Sequence, residues 1–224
     1  AMLNFLASLG WNDGTEQEVF TRDELIKKFS LKRVQKSGAR FDEKRLLWLN
    51  GAHIRNIPVD KLYEYVSPWD NNPQKDEGQT GFWPESAYSP SITKEYRMKV
   101  LALAQDRLKM FEDLRGFGYF FAEPEVNLEL IDGNKQLKKL SDSERRELLE
   151  TARHELTKLT GWTPESIQNC LNGLLETTGQ KPGILFSLVR IVTTWAQFSP
   201  QLNDTLALIG QEKTLQRIDN YLQK

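Results

Sequence analysis

The side chains able to do chemistry are few and scattered. The two histidines, His53 and His154, stand at no spacing to a serine, cysteine or acid that would make a nucleophile–base pair. Isolated histidines of this kind read as partly exposed structural residues. The single cysteine lies in Ile167-Gln-Asn-Cys170-Leu171, at helical spacing from Leu174, and reads as a small core residue. Alone it forms no intrachain disulfide and fits a reducing compartment. With only two histidines beside it, a structural zinc site is short of ligands. Gly116-Phe-Gly118 lacks the third glycine and the preceding strand of a dinucleotide site. No glycine-rich phosphate loop occurs, and no pair of acids takes acid and base roles. Neither a catalytic residue nor a metal ligand is assigned.

Charge is where the pattern departs from chance. The chain as a whole carries a net charge of −1, yet nine Lys and Arg lie between Lys27 and Arg55 against two acids, Asp42 and Glu43. Such a local excess reads as a candidate phosphate-binding surface or as a solvated charged face.

The elements that would position these residues are helices. Thr21-Arg-Asp-Glu24 is a capping box opening a helix with Leu25, Ile26 and Phe29 on one side. Leu3 to Gly10 reads as a short apolar helix ended by glycine. Asp42 caps a helix carrying Leu46, Leu47, Leu49 and Ile54, and Pro58 opens the next. Residues 67–90, rich in Pro, Gly, Asn and Ser, read as a loop. A long helix is expected from about Thr93 to Leu114, then an aromatic patch from Phe117 to Phe121 that reads mainly as core. Asp132-Gly133-Asn134 is a turn. Four helices follow: one from the Ser141/Glu144 capping box, one from Thr163-Pro164, one from Pro182 to about Gln197, and one from Ser199-Pro200 that is interrupted near Gly210.

The composition supports such a core. Six Trp and eleven Phe in 224 residues, 39% of them hydrophobic, are too many for a solvated chain. The apolar runs are too short for a membrane span. The N-terminus reads as lacking the basic and small-residue pattern of a secretory leader, and Ala1 ahead of Met2 reads as a residue left by cloning, in a chain cut from something longer.

Several segments in fixed order resemble one family. Leu3-Asn-Phe-Leu-Ala-Ser-Leu-Gly-Trp11, Glu18-Val-Phe20, Asp23-Glu-Leu-Ile26, Ser37-Gly-Ala-Arg-Phe-Asp42 with Lys44-Arg-Leu-Leu-Trp-Leu-Asn-Gly51, and Ser199-Pro200 with Leu206-Ala-Leu-Ile-Gly210 resemble bacterial-type glutamyl-tRNA synthetases, of class I. The resemblance runs over nearly the whole chain and is loosest over 67–90. The family's His-Ile-Gly-His-type and Lys-Met-Ser-Lys-Ser-type ATP motifs do not occur. Gln35-Lys-Ser-Gly-Ala-Arg40 is a false match, because it lies downstream of the Leu3–Trp11 segment whereas the ATP loop lies upstream.

The resemblance implies an all-α chain: a helical stem-contact fold followed by an α-helical anticodon-binding domain of the helix-bundle or cage type. The expected divisions are a stem-contact-like region over 1–66, a loop over 67–90, a first anticodon-binding subdomain over 91–135 and a second over 136–224. The implied function is the tRNA-binding part of glutamate–tRNA ligase, with no catalysis by this part alone; ATP and Mg2+ belong to the whole enzyme. The implied partner is tRNA(Glu), with tRNA(Gln) left open, in the cytoplasm, with no membrane contact and a monomeric chain. Arg107 resembles the arginine that reads the third anticodon base, and Arg190 the one near the first. Ser199 and Leu202, with Pro200, match the loop beside the bases. Lys32, Arg33, Lys36, Arg40 and Arg55 are the expected contacts to the tRNA backbone. Against these stand plainer readings: Arg107 as a surface ion-pair residue beside Asp106, Arg190 as a head group snorkelling from a core helix, and the chain as a helical protein-interaction scaffold.

Overall fold

The computed structural model describes residues 1–35, 38, 40–67 and 81–223. The fold is all-α: among the described residues there are helices and turns and no strand. The chain divides into two compact units, one made of 1–82 and 105–114, the other of 83–104 and 115–224.

In the first unit the local signals act as physics requires. α1 (Met2–Ser8) ends before Gly10. α2 (Arg22–Lys28) begins at Thr21, whose hydroxyl accepts from Glu24 N at 3.2 Å while the Glu24 carboxylate accepts from Thr21 N at 2.7 Å. These two bonds satisfy amides that have no partner inside the helix. α3 (Glu43–Arg55) is capped by Asp42, which accepts from Arg45 N at 3.1 Å. α4 (Val59–Val66) follows Pro58. Phe5, Leu49, Leu62 and Val66 are fully buried, as are Leu108 and Leu114 from the returning segment. Trp11, Phe20 and Leu25 form a separate small cluster.

The second unit contains α5 (Lys94–Ala104), the short α6 (Glu129–Asp132), α7 (Asp142–Thr157), α8 (Pro164–Thr178), α9 (Pro182–Thr194), α10 (Leu202–Ile209) and α11 (Gln211–Leu222). Ser141 with Glu144 and Thr163 with Ser166 form capping boxes, and prolines stand in the first turns of α8 and α9. Apolar faces of α7, α8, α9 and α11 meet in one core that includes Leu149, Leu171, Leu188, Val192 and Ile218. Gly179, with φ of 65°, ends α8 in the left-handed region that glycine enters without a Cβ penalty.

Two expectations need correction. The helix expected over 93–114 stops at Ala104 and continues as a 3-10 turn, Gln105–Arg107. The Gln105 carboxamide donates to Ile54 O at 2.8 Å and Ile57 O at 2.7 Å, and Asp113 accepts from Lys109 N and Met110 N. These bonds compete with helix continuation. α9 ends at Thr194, short of Gln197, because Trp195 turns into the left-handed region. Within the loop reading, residues 68–80 lie outside the described residues, but the following stretch is ordered into core: Trp83 and Ala87 are buried around the 3-10 turn Glu85–Tyr88.

Candidate functional site

The basic segment lies in the first unit and is less free than its charge count suggests. Lys28 is paired with Asp13 at 2.7 Å and Arg45 with Glu18 at 3.1 Å. Both acids precede the basic window, so a local count misses them. The Asp13 side chain is 4% exposed and also accepts from Thr15 N and Oγ. The hydrogen bond from Lys28, then that from Thr15, hold its carboxyl down from 3.8 to about 2. Arg33 donates to the Asp13 carbonyl, and Gln35 N donates to Gly10 O at 2.7 Å, which fastens the 3-10 turn Leu31–Arg33 beside the end of α1. Lys32, Arg40 and Arg55 are exposed, and their side chains make no hydrogen bond or ion pair among the described residues. Lys36 lies outside the described residues.

Arg107 is in the same unit. Its 3-10 turn is anchored on both sides, by Gln105 as above and by Leu108, which is fully buried. Asn50 Nδ2 also donates to Lys109 O at 2.6 Å. At Gly51 a Cβ would stand 3.0 Å from Leu108 O, so α3 lies close against this turn because glycine is there. The Arg107 head group is exposed and has no ion pair among the described residues, including with Asp106.

Asn4 and His53 form the polar heart of this unit. Asn4, 1% exposed, donates from Nδ2 to Glu18 O and accepts at Oδ1 from Phe20 N. The same Oδ1 lies 3.1 Å from His53 Nε2, which must therefore be the protonated nitrogen. Burial pushes the His53 pKa below its ordinary value. The histidine is a structural donor, in keeping with its sequence reading.

In the second unit the structure joins Arg190 to the loop after α9. Arg190, in the C-terminal half of α9 and half-buried, donates from Nε to Ser199 Oγ at 2.9 Å, and that hydroxyl donates on to Pro200 O at 2.9 Å. Thr194 Oγ donates to Arg190 O, closing the helix end. Leu202 is 5% exposed and belongs to the unit's core, while Phe198 is 76% exposed. Arg190, Ser199, Pro200 and Leu202 thus share one helix-to-loop corner.

A residue missed by sequence reasoning holds that corner. Arg217 on α11 is 2% exposed. It donates to Glu123 Oε1 at 2.8 Å, Thr193 O at 2.7 Å and Tyr119 O at 3.0 Å. It therefore binds the end of α9 to the 119–123 segment. In Gln211-Glu-Lys-Thr-Leu-Gln-Arg217 it looks like an ordinary surface arginine, and nothing local distinguishes it. Cys170 is half-buried against the core, and burial raises its thiol pKa. His154 is exposed.

Residues 61–222 match the family described as anticodon binding domain. The glutamate–tRNA ligase of Chlorobaculum parvum is 35% identical over 221 residues, and that of Chloroflexus aurantiacus 32% identical over 218. Each match covers 97% of this chain and 42% of the relative, so the chain spans about two-fifths of the length of these proteins. The crystal structure of a glutamate tRNA ligase from Elizabethkingia meningosepticum superposes with a TM-score of 0.71 at 22% identity, over all of this chain and 40% of that one. At that identity the superposition speaks for the fold. The family match does not favour a protein-interaction scaffold.

Proposed function

The chain belongs to the anticodon-binding domain family, in the form carried by glutamate–tRNA ligases, and from that premise we propose that it binds tRNA(Glu) and reads its anticodon. The observation that carries this reading is the corner where Arg190 meets Ser199. A guanidinium placed beside a side-chain hydroxyl at the mouth of a loop puts a multiple donor where an unpaired base would present acceptors. The exposed Arg107, fixed by its backbone and free of ion pairs among the described residues, is the second reader. Arginine suits cytosine, whose O2 and N3 both accept, and meets donors on guanine N1 and N2. A third-position arginine therefore favours the glutamate anticodon over the glutamine one. Ser199 and Leu202 set the loop: Ser199 orients Arg190, and Leu202 anchors the start of α10 in the core.

Lys32, Arg33, Arg40 and Arg55, with Lys36, are the proposed phosphate contacts, supplying affinity without sequence information. Chain and tRNA meet as one-to-one partners in the cytosol; among the described residues no helix is long and apolar enough to cross a membrane. ATP and Mg2+ would serve aminoacylation by a full ligase. Among the described residues no group of three or more His, Cys, Asp or Glu could hold a metal ion. No step proposed here passes through either.

The test is Arg107→Gln. Glutamine carries one donor and one acceptor and can face cytosine or guanine. Glutamate and glutamine anticodon stem-loops are titrated against wild type and variant at one salt concentration. The glutamate loop should weaken by about 1–3 kcal/mol, the scale of one base-specific contact, while the glutamine loop binds as well or better. Equal weakening of both RNAs would reduce Arg107 to a backbone or structural role.

A further inference from the structure

Within the second unit a groove runs between α7 and α8. It is made of two adjoining clefts of about 650 and 490 Å3 that share Thr151 and Thr177. Glu144 and Gln180 stand at one end, Lys158 and Ser166 at the other, so the two helices run antiparallel along it. At the helical rise its length is about 20 Å, the span of roughly fourteen helical residues. None of the residues assigned to RNA above lines it. We propose that this groove is a docking site for another protein, and that its occupant is a basic amphipathic helix with lysines or arginines along the edge of an apolar face. This goes beyond the tRNA reading and does not depend on it.

The floor of the groove is apolar. Leu148 and Leu174 are buried there and Leu159 is half-buried. The hydroxyls beside them bond close to home. Thr151 Oγ donates to Glu147 O at 2.8 Å, Thr177 Oγ to Gly173 O at 3.1 Å and Ser166 Oγ to Gly161 O at 2.6 Å. These hydroxyls need no ligand to complete them, so the surface they share with the leucines is one to be covered by packing. Gly173 lies inside α8, where glycine is less stable than alanine. A Cβ built there meets nothing within 4 Å, so no neighbour inside this chain requires the glycine. What its bare backbone offers is close approach from outside.

Charge selects the occupant. Glu144, Glu147 and Glu155 line the groove against one cation, Lys158, which Glu155 already holds at 2.7 Å. The bond from Ser141 keeps the Glu144 carboxyl below the usual carboxylate range, and the bond from Lys158 does the same for Glu155, so both are ionised at neutral pH. The exposed Glu147 carboxylate has no ion pair among the described residues. A groove with this balance repels a phosphate backbone and attracts lysine and arginine. RNA is thereby set aside. A helix that lays its apolar stripe on the leucine floor and its cations against the glutamates matches the groove in length, floor and charge.

The experiment selects random peptides, roughly sixteen residues long, from a phage library against the immobilised chain, and then titrates the free peptides by fluorescence anisotropy. The selected peptides should be rich in Lys and Arg, with apolar residues three and four apart. Gly173→Phe fills the open space beside α8, and Glu147→Lys reverses an exposed, unpaired charge. Each should weaken these peptides by roughly tenfold or more, while keeping the wild-type melt and the wild-type response to the glutamate anticodon stem-loop. Should Gly173→Phe fail to fold, Glu147→Lys decides alone. Acidic or unpatterned peptides, or peptides that the variants bind as tightly as wild type does, would overturn the docking site. Displacement of the peptides by the stem-loop would overturn it too, by placing them on the RNA-binding face. Self-association of the chain that Gly173→Phe abolishes in sedimentation would overturn the choice of another protein and make a second copy the occupant. If the chain binds no stem-loop at all, the tRNA reading falls and the peptide result stands by itself.

Discussion

Replacing Arg217 by Met tests the proposition that one buried cation organises the second unit. Methionine matches much of the length and fills the space with an apolar chain. What it removes are the donors to Thr193 O and Tyr119 O, both in buried hydrogen bonds, and to Ala122 O and Glu123. Each stranded buried acceptor costs about 1–2 kcal/mol. Glu123 regains water because half its side chain is exposed, so its loss is small. The expected destabilisation is about 3–5 kcal/mol, in the range for breaking a buried charged network from its inaccessible side. Glu123→Gln attacks the same pair from its wet side and should cost less than about 1 kcal/mol. Urea unfolding followed by tryptophan fluorescence and by far-UV dichroism gives both values, and coincidence of the two probes checks the two-state assumption. The asymmetry is the claim. An Arg217→Met loss below about 1 kcal/mol, or one no larger than that of Glu123→Gln, would refute it.

Three further outcomes follow from particular contacts. Changing Lys32, Arg40 and Arg55 together to Ala should weaken both anticodon-bearing tRNAs by the same factor and flatten the salt dependence of binding by roughly one unit per lost phosphate contact; full-length tRNA titrated across a salt series reads this, and an unchanged slope removes these side chains from the interface. Asp13 has a folded pKa near 2, below its ordinary 3.8, so its bonds stabilise the fold above pH 4 and are lost as pH falls towards 2. The melting-temperature gap between wild type and Asp13→Asn should therefore be full at pH 6 and shrink between pH 4 and pH 2; a gap independent of pH would contradict the Lys28–Asp13 geometry. Gly210 joins α10 to α11 at φ 92° and ψ 154°, with nothing within 4 Å of an added Cβ. Gly210→Ala should destabilise by about 1–3 kcal/mol through backbone strain alone, seen as a lower melting temperature with unchanged helix content.

What the sequence disclosed were signals that act over three or four residues. Thr21 with Glu24, Asp42, Ser141 with Glu144, and Thr163-Pro164 each begin a helix where expected, because a cap and its amide lie one turn apart. The stop at Ala104 was hidden because Gln105 answers to carbonyls at 54 and 57, some fifty residues back. Trp195 gave no warning either: a left-handed helix end is ordinarily marked by glycine or asparagine, and here the chain uses a bulky residue. For the candidate site, the association of Arg190 with Ser199 could be anticipated, being nine residues apart. The loss of Lys28 and Arg45 to Asp13 and Glu18 could not, since partners fifteen and twenty-seven residues away fall outside any local charge count. Arg217 is the extreme case, with acceptors between 24 and 98 residues distant and a neighbourhood in sequence that advertises solvent.

Residues 105–114 complete the first unit although they follow twenty-two residues of the second. During synthesis, then, residues 1–82 emerge before α5, and only afterwards do Leu108 and Leu114 arrive to bury beside them. The first unit has to wait, with part of its apolar interior exposed to chaperones, until the chain has advanced past position 114. The same interleaving restricts gene rearrangement. A single crossover near residue 82 would hand a recipient the front of one unit without its closing segment, so a working exchange of the C-terminal part requires two junctions or a cut after 114.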